Sequence, residues 1–176
     1  MDKLFLDLYN KKIINFDKNI TTNFNNLISY PYIINNIVNF IYDKIRMLEY
    51  TNIIGISNSS HIASILSHNH NIPLLILNKN NIMNGHYEDT NSVIIINDVV
   101  DSGKHLLKFI KIIESNKVNV KYIINIYDTN NNKLIDICKY KLISLFNYKY
   151  ITNILITQNI INDNNLIIYN SYKTIK

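Results

Sequence analysis

The sequence predicts a single α/β domain, with a mostly parallel central sheet flanked by helices on both faces. Two observations carry the fold class and a third sets its size. Runs of branched aliphatic residues too short for helices recur along the chain, each closed by a polar turn. Between them, apolar residues repeat at intervals of three and four, the spacing of a helix that buries one face. Strands that alternate with helices pair in parallel through right-handed crossovers, which lays helices over the sheet. At 176 residues and 47% apolar composition the chain can bury one core, and neither a repeat nor a linker divides it.

The elements follow in order. The opening MDKLFLDLYNKK is amphipathic with acids near its start, unlike a secretory leader, and no apolar run approaches the roughly 20 residues that span a bilayer. A cytoplasmic protein with no membrane partner is expected. From Tyr30 to Leu48 a stripe of Ile33, Ile34, Ile37, Val38, Ile41, Ile45 and Leu48 predicts a core-facing helix, with Pro31 near its first turn. Asn52 to Ser57 (NIIGIS) reads as a short buried strand, Ser60 to Ser67 as a helix and Leu74 to Leu77 as the next strand. Val93 to Ile96 is a third strand, ending in Asn97 and Asp98. A polar turn with one glycine then leads into a helix over Lys104 to Ser115, where Leu106, Leu107, Ile110 and Ile113 share a face. A strand over Tyr122 to Ile126, a helix near Lys133 to Cys138 and a strand over Lys141 to Phe146 complete the pattern. Residues 1–157 are read as the domain and 158–176 as a polar, Asn-rich tail.

Composition narrows the function classes. The chain is rich in Ile, Asn, Lys and Tyr and has three Gly, two Pro and no Trp, the mark of AT-rich coding sequence. Its Asn runs and formal charge of +5 therefore say little about a nucleic-acid partner, and none is expected. Cys138 is the only cysteine, so no internal disulfide can form, and its apolar helical context suggests a buried thiol in a reducing compartment. His68, His70, His86 and His105 lack metal-ligand spacing with Cys138, so no metal site is assigned. His61, at a helix start, can hydrogen-bond a phosphate or face solvent, and solvent is the expected reading.

In sheets of this kind ligands bind beyond the carboxyl ends of the strands, which directs attention to the loops after Ile56, Leu77, Ile96 and Ile126. The loop NDVVDSGKH is the most informative. Backbone N–H groups of Asp101 to His105 at a helix N-terminus form a ready anion site. Gly103 permits close approach, the Ser102 hydroxyl can donate to a phosphate oxygen, and Asp98 can accept from sugar hydroxyls. Lys104 and Lys108 are expected to decorate a helix face, though Lys104, beside Gly103, can reach phosphate. An ordinary strand-to-helix turn capped by Asp or Ser is the alternative that this loop alone leaves open.

IINDVVDSGKHLL resembles the diphosphate-sugar loop of type I phosphoribosyltransferases, whose usual form is a strand, two acids, two branched residues, then Thr/Asp-Thr/Ser-Gly. Further segments are similar to orotate phosphoribosyltransferase, as found in the N-terminal half of UMP synthase. NLISYPYIINNIVNFIY resembles the helix after that family's early sugar-contact segment, and IIGISNSSHIASILSHNHNIPLLILNK its pyrophosphate loop, next helix and next strand. NGHYEDTNSVIIINDVVDSG resembles the return from its catalytic loop, and KYIINIYD and KLISLFNYKYI its last strands. The likeness covers residues 1–157. Gly55, Gly85 and Gly103, all the glycines present, fall at family loop positions, and Pro31 and Pro73 fall where the family has proline.

The resemblance implies a site. It gives Lys79 and Asp98 catalytic roles and sets Asn97, Asp98, Asp101, Ser102, Gly103, Lys104 and His105 around the sugar phosphate. Gly55, Ser57, Asn58 and Ser59 become a pyrophosphate loop, and Asp128 lies on the base side. It also implies phosphoribosyl diphosphate or a nucleoside monophosphate as ligand, Mg²⁺ if the chain is active, and a homodimer built around the pyrophosphate loop.

The sequence departs from the family where the family does its chemistry. Asn97 replaces the first acid of the ribose-binding pair, and GISNSSH lacks the usual proline after Gly55-Ile56. Asn78 stands for an Arg before Lys79, Ile82 stands near a second Lys, and the loop carrying them is shorter. Thr129 follows Asp128 where the family has an Arg for the orotate carboxylate. Phosphoribosyl transfer passes through an oxocarbenium-like state as pyrophosphate leaves, so it relies on cations and on exclusion of water; one preorganised donor is worth about 10²- to 10³-fold. The departures imply an impaired or inactive homologue with a scaffolding or regulatory role. An active transferase for orotate or a purine base is the alternative, since 6-oxopurine phosphoribosyltransferases often read Asp-Thr-Gly-Lys where this chain has Asp101-Ser102-Gly103-Lys104. A nucleic-acid- or protein-binding module is disfavoured, because no basic and aromatic residues interleave.

Overall fold

The computed structural model describes residues 1–16, 20–78, 80–89, 91–101, 103–129 and 139–161. The chain opens with helix α1 (Asp2–Asn10), followed by a small antiparallel pair, β1 (Ile14–Phe16) and β2 (Ile20–Thr22). A 3₁₀ turn (Phe24–Ser29) leads into α2 (Pro31–Ile45), where Pro31 occupies the first helical position and loses no hydrogen bond there. Then come β3 (Asn52–Gly55), a 3₁₀ turn (Ser57–Ser59), α3 (Ser60–His70), β4 (Leu74–Leu77) and β5 (Met83–Asn84). The chain continues through β6 (Ser92–Val100), α4 (Lys104–Ser115), β7 (Asn119–Asp128), β8 (Lys141–Asn147) and α5 (Tyr148–Thr157). Among the described residues no helix is long and apolar enough to cross a membrane.

Six strands form one sheet in the order β5-β4-β3-β6-β7-β8. Every neighbouring pair is parallel except β4–β5, the edge hairpin. Because both faces of the sheet are covered, its strands read as continuous aliphatic runs, with successive residues committed to opposite sides. Ile53, Ile94, Ile96, Ile124 and Ile126 pack with α1, α2, α3 and α5. Ile54, Ile95 and Ile123 pack on the other side with Leu106, Ile110 and Ile113 of α4. The stripe expected of α2 is buried from Ile33 to Ile45, and Leu48 packs against the same core just beyond the helix.

The topology sets the position of a ligand. From the central β3 the chain winds outward to β4, then returns to add β6 on the other side of β3. In open α/β sheets such a reversal marks the crevice where ligands bind, which here falls beyond the carboxyl ends of β3 and β6.

The main correction to the expected elements concerns β6. The polar pair Asn97-Asp98 does not end the strand, which continues to Val100 because Asn97, Val99 and Val100 pair with Asn125, Tyr127 and Asp128 of β7. The next strand likewise runs from Asn119 to Asp128, further at both ends than Tyr122 to Ile126. α3 extends to His70, with Asn71 at φ 53° taking the left-handed position that closes the helix. The helix expected near Lys133 to Cys138, together with Cys138 itself, lies outside the described residues, as does the tail from residue 162.

Candidate functional site

Two turns face the crevice, one after β3 and one after β6. The first is fixed by backbone proximity. A Cβ added to Gly55 would lie 2.6 Å from Ser60 Cα, 2.7 Å from Ala63 Cβ and 2.8 Å from the Ser59 carbonyl oxygen, so α3 can approach β3 only because residue 55 has no side chain. The turn is also anchored sideways on β6. Ile56 N–H donates to the Ile96 carbonyl at 3.2 Å, and the buried Ser59 Oγ lies 2.6 Å from the carbonyls of both Ile56 and Ile96. Ser59, expected in a pyrophosphate loop, therefore turns inward and holds the loop, while Asn58 is exposed beside it. Ser57 starts the turn, and its backbone follows Ile56.

The second turn is built on a left-handed glycine. Gly103, at φ 74° and ψ −10°, is the N-cap of α4, and its carbonyl accepts the helix's first bond from Leu107 N–H at 2.9 Å. The first N–H groups of an α-helix have no partners within the helix, and helix geometry favours an anion at that end. Ser102 lies outside the described residues. Lys104 and His105 are exposed on the first turn of α4. His105 stands edge-on to Phe109 with ring centroids 4.9 Å apart, and Lys104 lines a groove of about 580 Å³ along α4 with Asn81, Leu107, Lys108, Lys111 and Ile112.

The acidic residues are held individually. Asp98 is half-buried, and its Oδ1 accepts from Val99 N–H at 2.8 Å. Asp101 Oδ1 accepts from the Thr129 hydroxyl at 3.1 Å, and Thr129 N–H donates to the Val100 carbonyl at 3.1 Å, so the end of β7 supports the second turn. Asp128 pairs in register with Val100 and Asn147. Asn97, expected beside the sugar, is 2% exposed, and its amide donates at 2.9 Å to both Asn125 Oδ1 and the Val99 carbonyl. Those donors are committed to the sheet. Asn125, which sequence reading did not single out, is fully buried and donates in turn to the Tyr127 carbonyl. Its signal was an asparagine inside the aliphatic run IINIY.

His61 also differs from expectation. It is not turned to solvent: its Nε2 is enclosed by protein and has no hydrogen-bond partner. Burial pushes the imidazole below its ordinary value of 6.5, against the opposing pull of the Asp98 carboxylate and a hydrogen bond to the Asn58 backbone.

The loop after β4 is a tight hairpin. Asn78 Oδ1 accepts from Asn80 N–H at 2.9 Å and Ile82 N–H at 3.0 Å, and the Asn78 N–H donates to the Ile82 carbonyl at 3.0 Å. Asn78 thus closes the turn, and Ile82 is 57% exposed beyond it. Lys79 lies outside the described residues. Among the described residues no group of three or more His, Cys, Asp or Glu side chains gathers to hold a metal ion.

No protein-family model matches the sequence, and no curated protein matches it. Solved structures do. UMP synthase of Leishmania donovani superposes with a TM-score of 0.86 at 18% identity over 99% of this chain, which spans 42% of the length of that enzyme. Orotate phosphoribosyltransferase from Aeropyrum pernix superposes with a TM-score of 0.72 at 15% identity, over 89% of this chain and 99% of that one. Adenine phosphoribosyltransferase from Leishmania donovani superposes with a TM-score of 0.65 at 15% identity, over 84% and 80% of the two chains. The fold is that of the type I phosphoribosyltransferases.

Proposed function

We propose that this chain is a divergent orotate phosphoribosyltransferase-like domain that holds a phosphoribosyl ligand in the crevice between β3 and β6 but is impaired or inactive in transfer, and that its role is scaffolding or regulatory. The observation that carries the proposal is an imbalance in the crevice. On the sugar-phosphate side, Gly103 caps the N-terminus of α4 in a left-handed conformation, and Asp98, half-buried on β6, is available to accept from a ribose hydroxyl. Among the described residues, the positions where a cation is expected on the leaving-group and base sides hold neutral side chains: Asn78 is occupied in closing its hairpin, and Thr129 is bonded to Asp101. A neutral hydroxyl or amide does not stabilise a developing pyrophosphate as a guanidinium or ammonium does.

In this reading the phosphate takes backbone N–H bonds from Gly103 to His105 with help from Ser102 and Lys104, while the diphosphate end lies toward Gly55, Ser57 and Asn58. A base would lie toward Asp128. The described residues provide no protein cage for Mg²⁺, so the ion would enter on the ligand's own diphosphate oxygens and water, as Mg²⁺ commonly does. A homodimer in a reducing cytoplasm completes the proposal. A second reading, an active transferase for orotate or a purine base, is supported by the same fold serving orotate and adenine enzymes and by the presence of Lys79 and Asp98 in the chain.

The test is calorimetric titration with phosphoribosyl diphosphate and Mg²⁺ on the wild-type protein and on Gly103→Val. Binding by the wild type and its loss in the variant are expected, since a β-branched residue is strained at φ 74° and blocks the approach of phosphate to the backbone. Equal affinity of the two proteins would reduce the loop to a plain turn.

A further inference from the structure

Positive charge without a carboxylate partner collects on one face of α4. Lys104, Lys108 and Lys111 are exposed and lie four and three positions apart, which sets them along one side of the helix. At a rise of about 1.5 Å per residue the row extends about 10 Å. The ion pairs of the described surface take up Arg46, Lys117, Lys121 and Lys139, and none reaches these three lysines. Glu114, the one acid of α4, is engaged elsewhere: it accepts from the Tyr140 hydroxyl at 2.8 Å and lies 3.8 Å from Lys139.

The row borders the groove of about 580 Å³ described above. Leu107 and Ile112, both half-buried, line it between the lysines and give it an aliphatic surface. Asn81 lines it from the β4–β5 hairpin, which Asn78 Oδ1 holds closed through two backbone N–H groups. Its described lining includes neither a carboxylate nor an aromatic ring.

We propose that this groove docks a segment of a partner protein, an amphipathic helix with acidic side chains along one edge and aliphatic ones beside them. The argument is charge complementarity joined to shape. A row of uncompensated cations selects acids and suppresses basic partners, while Leu107 and Ile112 supply apolar area that acids alone would not use. A helix presents side chains at i, i+3, i+4 and i+7, the spacing of Lys104, Leu107, Lys108 and Lys111, so two helices can match row against row. A single nucleic-acid strand gains much of its hold from bases stacked on aromatic rings, which this lining does not offer. The inference rests on the scaffolding part of the reading above, giving it a partner of stated chemistry, and it shares only Lys104 with the crevice.

The probe is a fluorescein-labelled helical peptide with glutamates spaced as Lys104, Lys108 and Lys111 are and leucines spaced as Leu107 and Ile112 are. A second peptide has the same composition in scrambled order. Anisotropy titrations of the full chain are expected to show saturable binding of the first peptide, weaker binding of the scrambled one, and weakening of both by salt. Lys108→Glu/Lys111→Glu should bind the first peptide about tenfold less tightly, because two attractions become repulsions. Lys108→Gln/Lys111→Gln, which removes the charges without reversing them, should fall between. Equal binding of the two peptides, or of wild type and the charge-reversed variant, overturns the inference. Tighter binding of an oligothymidylate or of inorganic tripolyphosphate than of the peptide also overturns it, and assigns the groove to nucleic acid or to a phosphate ligand. So does a lower particle mass in the charge-reversed variant, which assigns the groove to a second copy. Phosphoribosyl diphosphate titrated into the same proteins keeps the two readings apart. If it binds and the peptide does not, the groove inference is wrong and the crevice reading stands; if the peptide binds and it does not, the reverse holds.

Discussion

Asn97 and Asn125 illustrate how a polar residue comes to belong to a core. They sit opposite each other on β6 and β7; the Asn97 amide N–H donates to Asn125 Oδ1, and the Asn125 amide N–H donates to the Tyr127 main-chain carbonyl. A buried amide is tolerated when its hydrogen bonds are made and is costly when they are not. The pair is also directional: a carboxylate at position 97 would face Asn125 Oδ1, acceptor against acceptor. Restoring the family's acid with Asn97→Asp is therefore expected to destabilise the fold rather than revive a site. An orphaned buried group of this kind costs about 1–3 kcal/mol, and a buried charge adds to it. Urea unfolding at pH 7.5 checks this, and an undiminished midpoint would mean that Asn97 is not held as described. Neither partner of this pair is legible as a pair from sequence, because they are 28 positions apart and only the register of two strands brings them together.

At the scale of elements, the parts that local pattern could find were found. β4 and α4 have the bounds expected of them, since each ends where its own apolar periodicity ends. β6 does not, because its last residues are strand by virtue of pairing with β7 rather than by composition. α1, α5 and the three-residue strands β1 and β2 were not assigned from sequence: the strands are too short to show a period, and α1 and α5 owe their place to packing of Phe5, Leu8, Ile151 and Leu155 on the shared core. The chain has few glycines, and asparagine takes several left-handed positions instead, at Asn71, Asn81 and Asn159. Gly55 is not replaceable in this way, because the constraint there is contact with backbone. Gly55→Ala should push α3 off β3 and cost about 1–3 kcal/mol, the range for overpacking a core. Thermal unfolding measures it, and a variant as stable as wild type would show that the helix can move away freely.

For the whole molecule, the order β5-β4-β3-β6-β7-β8 matters more than any single motif, because it places the two turns on either side of the point where the winding reverses. The fold could be read from the sequence. Which residues turn inward could not: Asn97 and Ser59 bond to the protein interior and His61 Nε2 is enclosed. The proposed homodimer, expected around the pyrophosphate loop, has further support at the sheet edge. Ile76 and Ile82, 47% and 57% exposed, lie on or beside the β4–β5 edge hairpin, where apolar side chains and an open strand edge favour pairing with another copy. Light scattering at micromolar concentration is expected to give twice the 20.7 kDa of one chain, and Ile82→Lys to shift the population toward monomer. A wild-type mass of a single chain would contradict the dimer.

The most direct measurement of the central claim is a titration of the wild-type protein with phosphoribosyl diphosphate and Mg²⁺ in the presence of orotate, with the cell contents then separated by chromatography. Binding that saturates, with no orotidine 5′-phosphate above background, is the predicted result: the backbone cradle at Gly103 holds the sugar phosphate, and the positions of Asn78 and Thr129 provide no cation for transfer. Sustained formation of orotidine 5′-phosphate, or no binding of phosphoribosyl diphosphate, would contradict it.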